Sequence, residues 1–158
     1  PPPPPPPFFF QPHAATRDPL WSRGLGDVYK RQVLEFQVFK ENIDVLGHVN
    51  NKVYLDWCEL VSWDHSKSLG VTPKIYQELR CACVVVKNQI EYLGSLFEND
   101  SIVISTWITE TDSKLKLSRL FQVINVKDNK TVFRSNVDAN IFFSALAEVL
   151  PQPTTFIL

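Results

Sequence analysis

The chain has 158 residues, 44% of them hydrophobic, with 16 Lys and Arg against 17 Asp and Glu and a formal net charge of −1. This length provides one hydrophobic core, so we expect a single folded domain. The balanced charge offers no basic surface for nucleic acid, and no apolar run approaches the roughly 20 residues that span a bilayer. We therefore expect a soluble, cytoplasmic protein without a nucleic-acid or membrane partner.

Residues 1–32 differ in composition from the rest of the chain. They hold nine of the twelve prolines, beginning with seven in a row, and show neither helical nor strand periodicity. We interpret this segment as lying outside the fold, either disordered or artefactual, with a real polyproline tail that binds an SH3-like partner as the alternative. The predicted domain is then 33–158, with 12 basic and 15 acidic side chains and a net charge of about −3.

The domain begins with a segment of alternating apolar and polar residues, 33–39, which predicts a half-buried strand. In 50–69 the apolar residues Val53, Trp57, Leu60 and Val61 recur at helical spacing over more than half of the circumference. Gly70 is a plausible end of this helix. Pro73 begins a short second helix that reaches toward Leu79. Four strands are predicted after it, at 81–92, 101–111, 114–126 and 131–144, with turns at 111–113 and at Asp128–Asn129.

One long helix followed by an antiparallel meander predicts an α+β fold, in which a twisted five-stranded sheet wraps around the helix. Such a sheet leaves an edge strand that edge-to-edge pairing in a homodimer covers. The three cysteines, Cys58, Cys81 and Cys83, cannot all pair, and no second ligand pair accompanies them. We predict reduced thiols in the core or in strands and no metal site.

The most informative segment joins the first strand to the long helix. Asp44 stands before Gly47, which permits a tight turn, and Asn50 stands directly before the helix. An Asn at that position caps the helix, and the remaining free N–H groups favour developing negative charge. A carboxylate beside such a helix N-terminus is suited to attack a polarised carbonyl or to activate a water.

The pattern Asp44-x-x-Gly47-His48-Val49-Asn50-Asn51-x-x-Tyr54, followed by Trp57, resembles the signature of hotdog-fold acyl-CoA thioesterases of the 4-hydroxybenzoyl-CoA thioesterase type. The resemblance covers roughly residues 33–153 and implies the hotdog fold. The pattern also resembles the motif of plant acyl-ACP thioesterases. Those enzymes have an Asn two residues after the Asp, where this chain has Leu46.

This resemblance implies hydrolysis of an acyl-CoA, or of an acyl-carrier-protein thioester, without metal or organic cofactor. The protein is then a homodimer or homotetramer with its sites at a subunit interface. The implied catalytic residues are Asp44 as nucleophile or general base, His48, and Asn51, whose backbone N–H polarises the thioester oxygen. The implied substrate-binding residues are Gly47, Asn50, Tyr54 and Trp57.

Other interpretations stay open. His48 is a general base, a substrate-positioning donor or a simple loop histidine, and Asp56 with Glu59 forms either a carboxylate pair or a solvated helix strip. The rival function is a non-catalytic hotdog module that binds acyl-CoA. A hydratase is disfavoured because Asp44 and His48 are one residue closer than its Asp-x-x-x-x-His motif requires. Four basic residues are candidates for the coenzyme A phosphates, and nothing in their spacing separates them: Lys87, Lys116, Arg119 and Arg134.

Overall fold

The computed structural model of the protein describes residues 31–111 and 115–143. Its elements in chain order are β1 (Gln32–Gln37), a short 3₁₀ helix (Lys40–Asn42), α1 (Asn51–Ser68), α2 (Pro73–Glu78), β2 (Cys81–Tyr92), β3 (Ser101–Thr111), β4 (Lys116–Asn125) and β5 (Lys130–Phe143). The predicted tail 1–32, the turn at 111–113 and the end of the chain from 144 onward lie wholly or mostly outside the described residues. β1 begins at Gln32, one residue before the predicted domain boundary.

The five strands form one antiparallel sheet in the order β1-β3-β4-β5-β2. The helix α1 packs on one face of this sheet, mainly over β1 and β3. This confirms the predicted α+β hotdog architecture. β1 and β2 are the two edge strands of the described sheet, and β2 leaves twelve residues paired on one side only.

The long helix has sequence signals at both ends. The side chain of Asn50 accepts a hydrogen bond from the Lys52 N–H at 3.0 Å and so caps α1. At the other end Gly70 adopts a φ of +79°, and the Val71 N–H donates to the Ser66 oxygen at 2.8 Å. A left-handed residue followed by an N–H that donates to a carbonyl of the last helical turn is a typical C-terminal cap of a helix.

The buried stripe of α1 is apolar in its first half and polar in its second. Tyr54, Trp57, Cys58 and Val61 enter the core, whereas Leu60 is 54% exposed. The predicted apolar stripe that included Leu60 was therefore too wide. Three polar side chains continue the buried face toward the C-terminus, namely Ser62, His65 and Ser66.

The main core lies between α1 and the inner face of the sheet. Phe121 and Phe133 are 1% and 0% exposed, and the ring of Trp57 meets Phe36 edge-on at 5.2 Å between centroids. All three cysteines are buried, free thiols, as predicted. Large buried rings of this kind supply much of the apolar area that stabilises a small domain.

Candidate functional site

The loop before α1 is a closed, hydrogen-bonded turn. Ile43 pairs with Val49 in an antiparallel bridge, and the Asp44 N–H donates to the His48 oxygen at 2.9 Å. The Gly47 N–H donates back to the Asp44 oxygen at 3.1 Å, which is possible because Gly47 has a φ of +83°. A Cβ at Gly47 would meet nothing within 4 Å, so the glycine is required for its backbone conformation alone.

Asp44 has one fixed oxygen and one available oxygen. Its Oδ1 accepts a hydrogen bond from the Leu46 N–H at 2.8 Å, which is a local Asx turn. Its Oδ2 lies 3.8 Å from Nδ1 of His48, too far for a hydrogen bond, and the side chain is 20% exposed. The turn therefore orients the carboxylate and leaves Oδ2 free to meet a reactant or a water.

His48 lies beside this carboxylate without being held by it. Its Nδ1 is 3.4 Å from the Val49 oxygen, and its side chain is 35% exposed. This geometry is compatible with two of the predicted roles: His48 donates a hydrogen bond to a bound substrate, or it is a simple loop histidine with one weak hydrogen bond to the backbone. A general-base role for His48 has no hydrogen-bonded partner to support it in the described residues.

The N-terminus of α1 supplies an unused donor next to the loop. The Lys52 N–H is taken by the Asn50 side chain, and the Val53 N–H donates to the Asn50 oxygen at 2.9 Å. Across the described residues, the Asn51 N–H donates to no backbone or side-chain acceptor. Because the helix dipole adds partial positive charge there, this N–H is suited to bind a carbonyl oxygen that gains negative charge.

An aromatic wall backs the helix N-terminus. The hydroxyl of Tyr92, at the end of β2, donates to the Asn51 oxygen at 3.2 Å. Its ring meets Tyr54 at 5.6 Å and Phe133 at 5.4 Å, both edge-on, and Tyr54 stacks on Phe133 at 5.1 Å. Sequence reasoning placed Tyr92 in a strand and assigned it no role, because nothing local signals a contact across 41 residues.

The structure brings most of the predicted site residues together. Asp44, Gly47, His48, Asn50 and Asn51 form one continuous loop and helix start. Tyr54 and Trp57 lie behind it in the core, with exposures of 2% and 7%. Their contact with a substrate stays a prediction.

The remaining candidates, the possible carboxylate pair and the four basic residues, differ in how exposed their side chains are. Asp56 is exposed on α1, and Glu59 is half-buried one turn later, where no described partner makes them an acid–base pair. Lys87 and Lys116 are exposed, Arg134 is half-buried, and Arg119 is 3% exposed beneath α1. A side chain at that depth is a poor candidate for a phosphate group held at the surface.

Apolar side chains surround the loop at the surface. Val45 is fully exposed and Leu46 is 75% exposed. The Val49 N–H donates to the Leu96 oxygen at 2.9 Å, which brings the half-exposed Phe97 beside the loop. This apolar rim is suited to contact with an acyl group or with a second protein surface.

A family model described as the thioesterase-like superfamily matches residues 38–144. That span covers more than half of the chain and includes the loop, α1 and all strands except β1. The chain belongs to the thioesterase-like superfamily. No curated protein matches its sequence.

Solved structures with the same fold include several thioesterases. A 1,4-dihydroxy-2-naphthoyl-CoA thioesterase from Synechocystis is 15% identical with a TM-score of 0.67, covering 78% of this chain and 90% of its own. A DHNA-CoA thioesterase from Staphylococcus aureus is 16% identical with a TM-score of 0.65, covering 73% and 76%. A hypothetical S. aureus protein solved in complex with CoA is 18% identical with a TM-score of 0.67, covering 73% and 72%. At these identities the likeness establishes the fold that this superfamily member shares with them.

Two features of the described residues concern membrane and metal partners. None of their helices is long and apolar enough to cross a membrane. Within the same residues, no group of three or more His, Cys, Asp or Glu side chains is placed to hold a metal ion.

Proposed function

We propose that this protein hydrolyses an acyl-CoA thioester to the free acid and coenzyme A. The observation that carries the proposal is the pairing of an oriented carboxylate, Asp44, with the unused N–H of Asn51 at the start of α1. One group supplies a nucleophile or base and the other supplies a donor for the oxyanion, which are the two needs of acyl transfer. The superfamily match and the CoA-bound fold relative support the choice of thioester.

Two routes are consistent with this geometry. In the first, Oδ2 of Asp44 attacks the thioester carbon, the C–S bond breaks, and CoA leaves as the thiolate, which takes up a proton; water then hydrolyses the mixed anhydride. In the second, Asp44 removes a proton from a water that attacks the same carbon directly; the C–S bond then breaks, and CoA leaves as the thiolate, which takes up a proton. The Asn51 N–H binds the carbonyl oxygen in both routes.

Rapid-quench kinetics separate the two routes. Under single-turnover conditions, release of CoA ahead of the free acid indicates the anhydride, whereas release of both products at one rate indicates the activated water. His48 has the same position in both routes and is proposed to orient the substrate or a water rather than to act as the base.

We further propose that the protein works as a homo-oligomer in the cytoplasm. The twelve residues of β2 leave an edge unpaired in the described sheet, and the apolar rim beside Asp44 is exposed in a single protomer. Pairing of two β2 edges would protect both features. The three free buried thiols agree with a reducing compartment.

The rival function is acyl-CoA binding without catalysis. The Asx turn of Asp44 favours it, because a carboxylate that holds its own loop needs no chemical role. Thiol release from a panel of acyl-CoAs, from short aliphatic to aromatic, tests the two against each other. We expect steady release with at least one member; saturable binding of acyl-CoA with no release from any member would establish the rival.

A further inference from the structure

The inner face of the sheet carries a buried cation. Arg119 on β4 lies in register with Ile108 on β3 and Val137 on β5, and all three side chains are buried. Its Nη1 is 3.4 Å from the Ser62 oxygen of α1, and this long hydrogen bond is the single one its guanidinium makes in the described residues. The charge therefore lies between the sheet and the second half of the helix.

Arg119 has no acidic partner in the described part of the chain. No carboxylate oxygen lies within salt-bridge distance, and its buried Nε has no hydrogen-bond acceptor. Burial lowers the pKa of Arg119 to about 10, so the side chain is still charged at neutral pH. A buried ion without a counterion is costly, which makes an anion at this position favourable.

The titratable groups that face Arg119 are neutral at that pH. Its charge acts on Cys83 of β2 and on Tyr76 of α2. Burial raises the pKa of the Cys83 thiol, and burial raises the pKa of Tyr76 to about 12. Neither group supplies the missing negative charge.

A strip of residues on β2 runs from the candidate active site to the level of this cation in the sheet. Tyr92, Ile90 and Asn88 follow one another on the core-facing side of β2, where Ile90 and Asn88 are only half-buried. Tyr92 contacts the start of α1. Asn88 pairs with Val137, which pairs with Arg119, so Asn88 lies in the same cross-strand row as Arg119. Asn88 accepts a hydrogen bond from Ser135 at 2.6 Å, so this end of the strip is polar.

The length of this strip sets the size of the ligand. Ser62 follows Asn51 by eleven residues of helix, which corresponds to about 16 Å. Arg119 precedes Val123 by four residues of β4, about 13 Å, and Val123 lies in the same cross-strand row as Tyr92. An acyl group of about this length, with its carbonyl at Asn51, would have its far end at the level of Arg119.

We propose that Arg119 is a specificity residue that binds a carboxylate at the distal end of the acyl group. The substrate class is then a CoA thioester whose acyl chain ends in a carboxylate. An Arg guanidinium holds a carboxylate through two parallel hydrogen bonds, and a buried site of this kind rejects an analogue that leaves the charge unpaired. The inference rests on the proposed function for the position of the thioester.

Equal-length pairs of acyl-CoAs, one ending in a methyl group and one in a carboxylate, test this proposal. The full chain is compared with Arg119→Met, which keeps the side-chain bulk without the charge, and with Arg119→Lys, which restores a charge. Lys74→Met removes an exposed cation from α2, whose side chain is 82% exposed, as a matched control. The readout is the ratio of kcat/KM for the two members of each pair.

We expect the wild-type protein to prefer the carboxylate-ended member of a long pair. In Arg119→Met the ratio of kcat/KM falls by about 30-fold or more, because KM rises for the carboxylate-ended member. Arg119→Lys recovers part of this ratio. Methyl-ended substrates and the Lys74→Met variant stay near wild-type values. An unchanged ratio in folded Arg119→Met protein overturns the proposal. If Arg119→Met also loses the oligomer while the ratio stays unchanged, the counterion of Arg119 is a carboxylate of a second copy, and the proposal is again overturned.

A binding measurement keeps this result separate from the proposed hydrolysis. Calorimetric titration of the same pairs into Asp44→Asn protein, with and without Arg119→Met, reports the preference without turnover. Hydrolysis with no Arg119-dependent preference contradicts the inference and leaves the proposed function standing. Arg119-dependent binding with no hydrolysis by any form contradicts the proposed function and leaves the carboxylate site standing.

Discussion

The hydroxyl of Tyr92 donates a hydrogen bond to the main-chain oxygen of Asn51 at 3.2 Å. This contact joins the end of an edge strand to the first residue of α1, whose N–H is the proposed oxyanion donor. The position of that N–H therefore depends on a side chain 41 residues away in sequence.

Replacement of Tyr92 by Phe removes this hydrogen bond and keeps the aromatic wall. We expect kcat to fall about tenfold with little change in KM, because a small displacement of a donor mainly weakens binding of the transition state. The free energy of unfolding should fall by about 1 kcal/mol. Steady-state kinetics and urea unfolding measure both, and an unchanged kcat would separate Tyr92 from the site.

Gly47 and Gly70 form a matched pair for a test of the loop. Both have a positive φ, +83° and +79°, and an added Cβ meets no atom within 4 Å at either position. Substitution by Ala at each should cost about 1 kcal/mol of stability through backbone strain. Only Gly47→Ala should also reduce turnover, because only Gly47 shapes the turn that orients Asp44; equal loss of turnover in both variants would argue against a site at this loop.

Alkaline pH should destabilise the protein through Tyr54. Burial, and then the charges of Tyr92 and Asp100, raise the pKa of Tyr54 to about 12 from 10.0. Its contribution to stability is complete below pH 10, where it is protonated in both states. As pH rises from 10 to 12 the unfolded state loses its proton first, so the free energy of unfolding falls. Thermal unfolding between pH 9 and 12, with Tyr54→Phe for comparison, should show a shallower fall in the variant; parallel profiles would be inconsistent with the raised pKa.

The charge of Arg119 should be unfavourable for stability in the absence of ligand. Arg119→Met replaces a buried cation by an apolar side chain of similar length, and we expect the free energy of unfolding to rise by about 1 kcal/mol or more. The exposed-cation control, Lys74→Met, should change it by less than about 0.5 kcal/mol. Guanidinium chloride titrations measure both. A loss of stability in Arg119→Met would indicate that the protein itself already provides a counterion.

Local patterns predicted the elements of this fold well. The observed bounds of β2 and β3 agree with the predicted ranges 81–92 and 101–111, and α1 is within one residue of the prediction at each end. The reason is local: Asn50 and Gly70 mark the helix ends, and Asn129 takes the φ of +57° that the hairpin turn requires.

Contacts between distant elements were not predictable in the same way. Periodicity marks β1 as a strand but does not place it beside β3 in the sheet. It included Leu60 in the apolar pattern of α1 although this side chain is 54% exposed, and it did not indicate that His65 is fully buried. The isolation of Arg119 and the contact of Tyr92 with Asn51 depend on strand register, which no local pattern encodes.

The central claim is that the carboxylate of Asp44 carries out the hydrolysis, and Asp44→Asn tests it most directly. Asp128 provides the matched control, because its Oδ1 also accepts a backbone N–H two residues further on, from Lys130 at 3.2 Å, in the turn between β4 and β5. Thiol release should fall by about 100-fold or more in Asp44→Asn and stay within twofold of wild type in Asp128→Asn. Near-normal release from a folded Asp44→Asn protein would contradict the account.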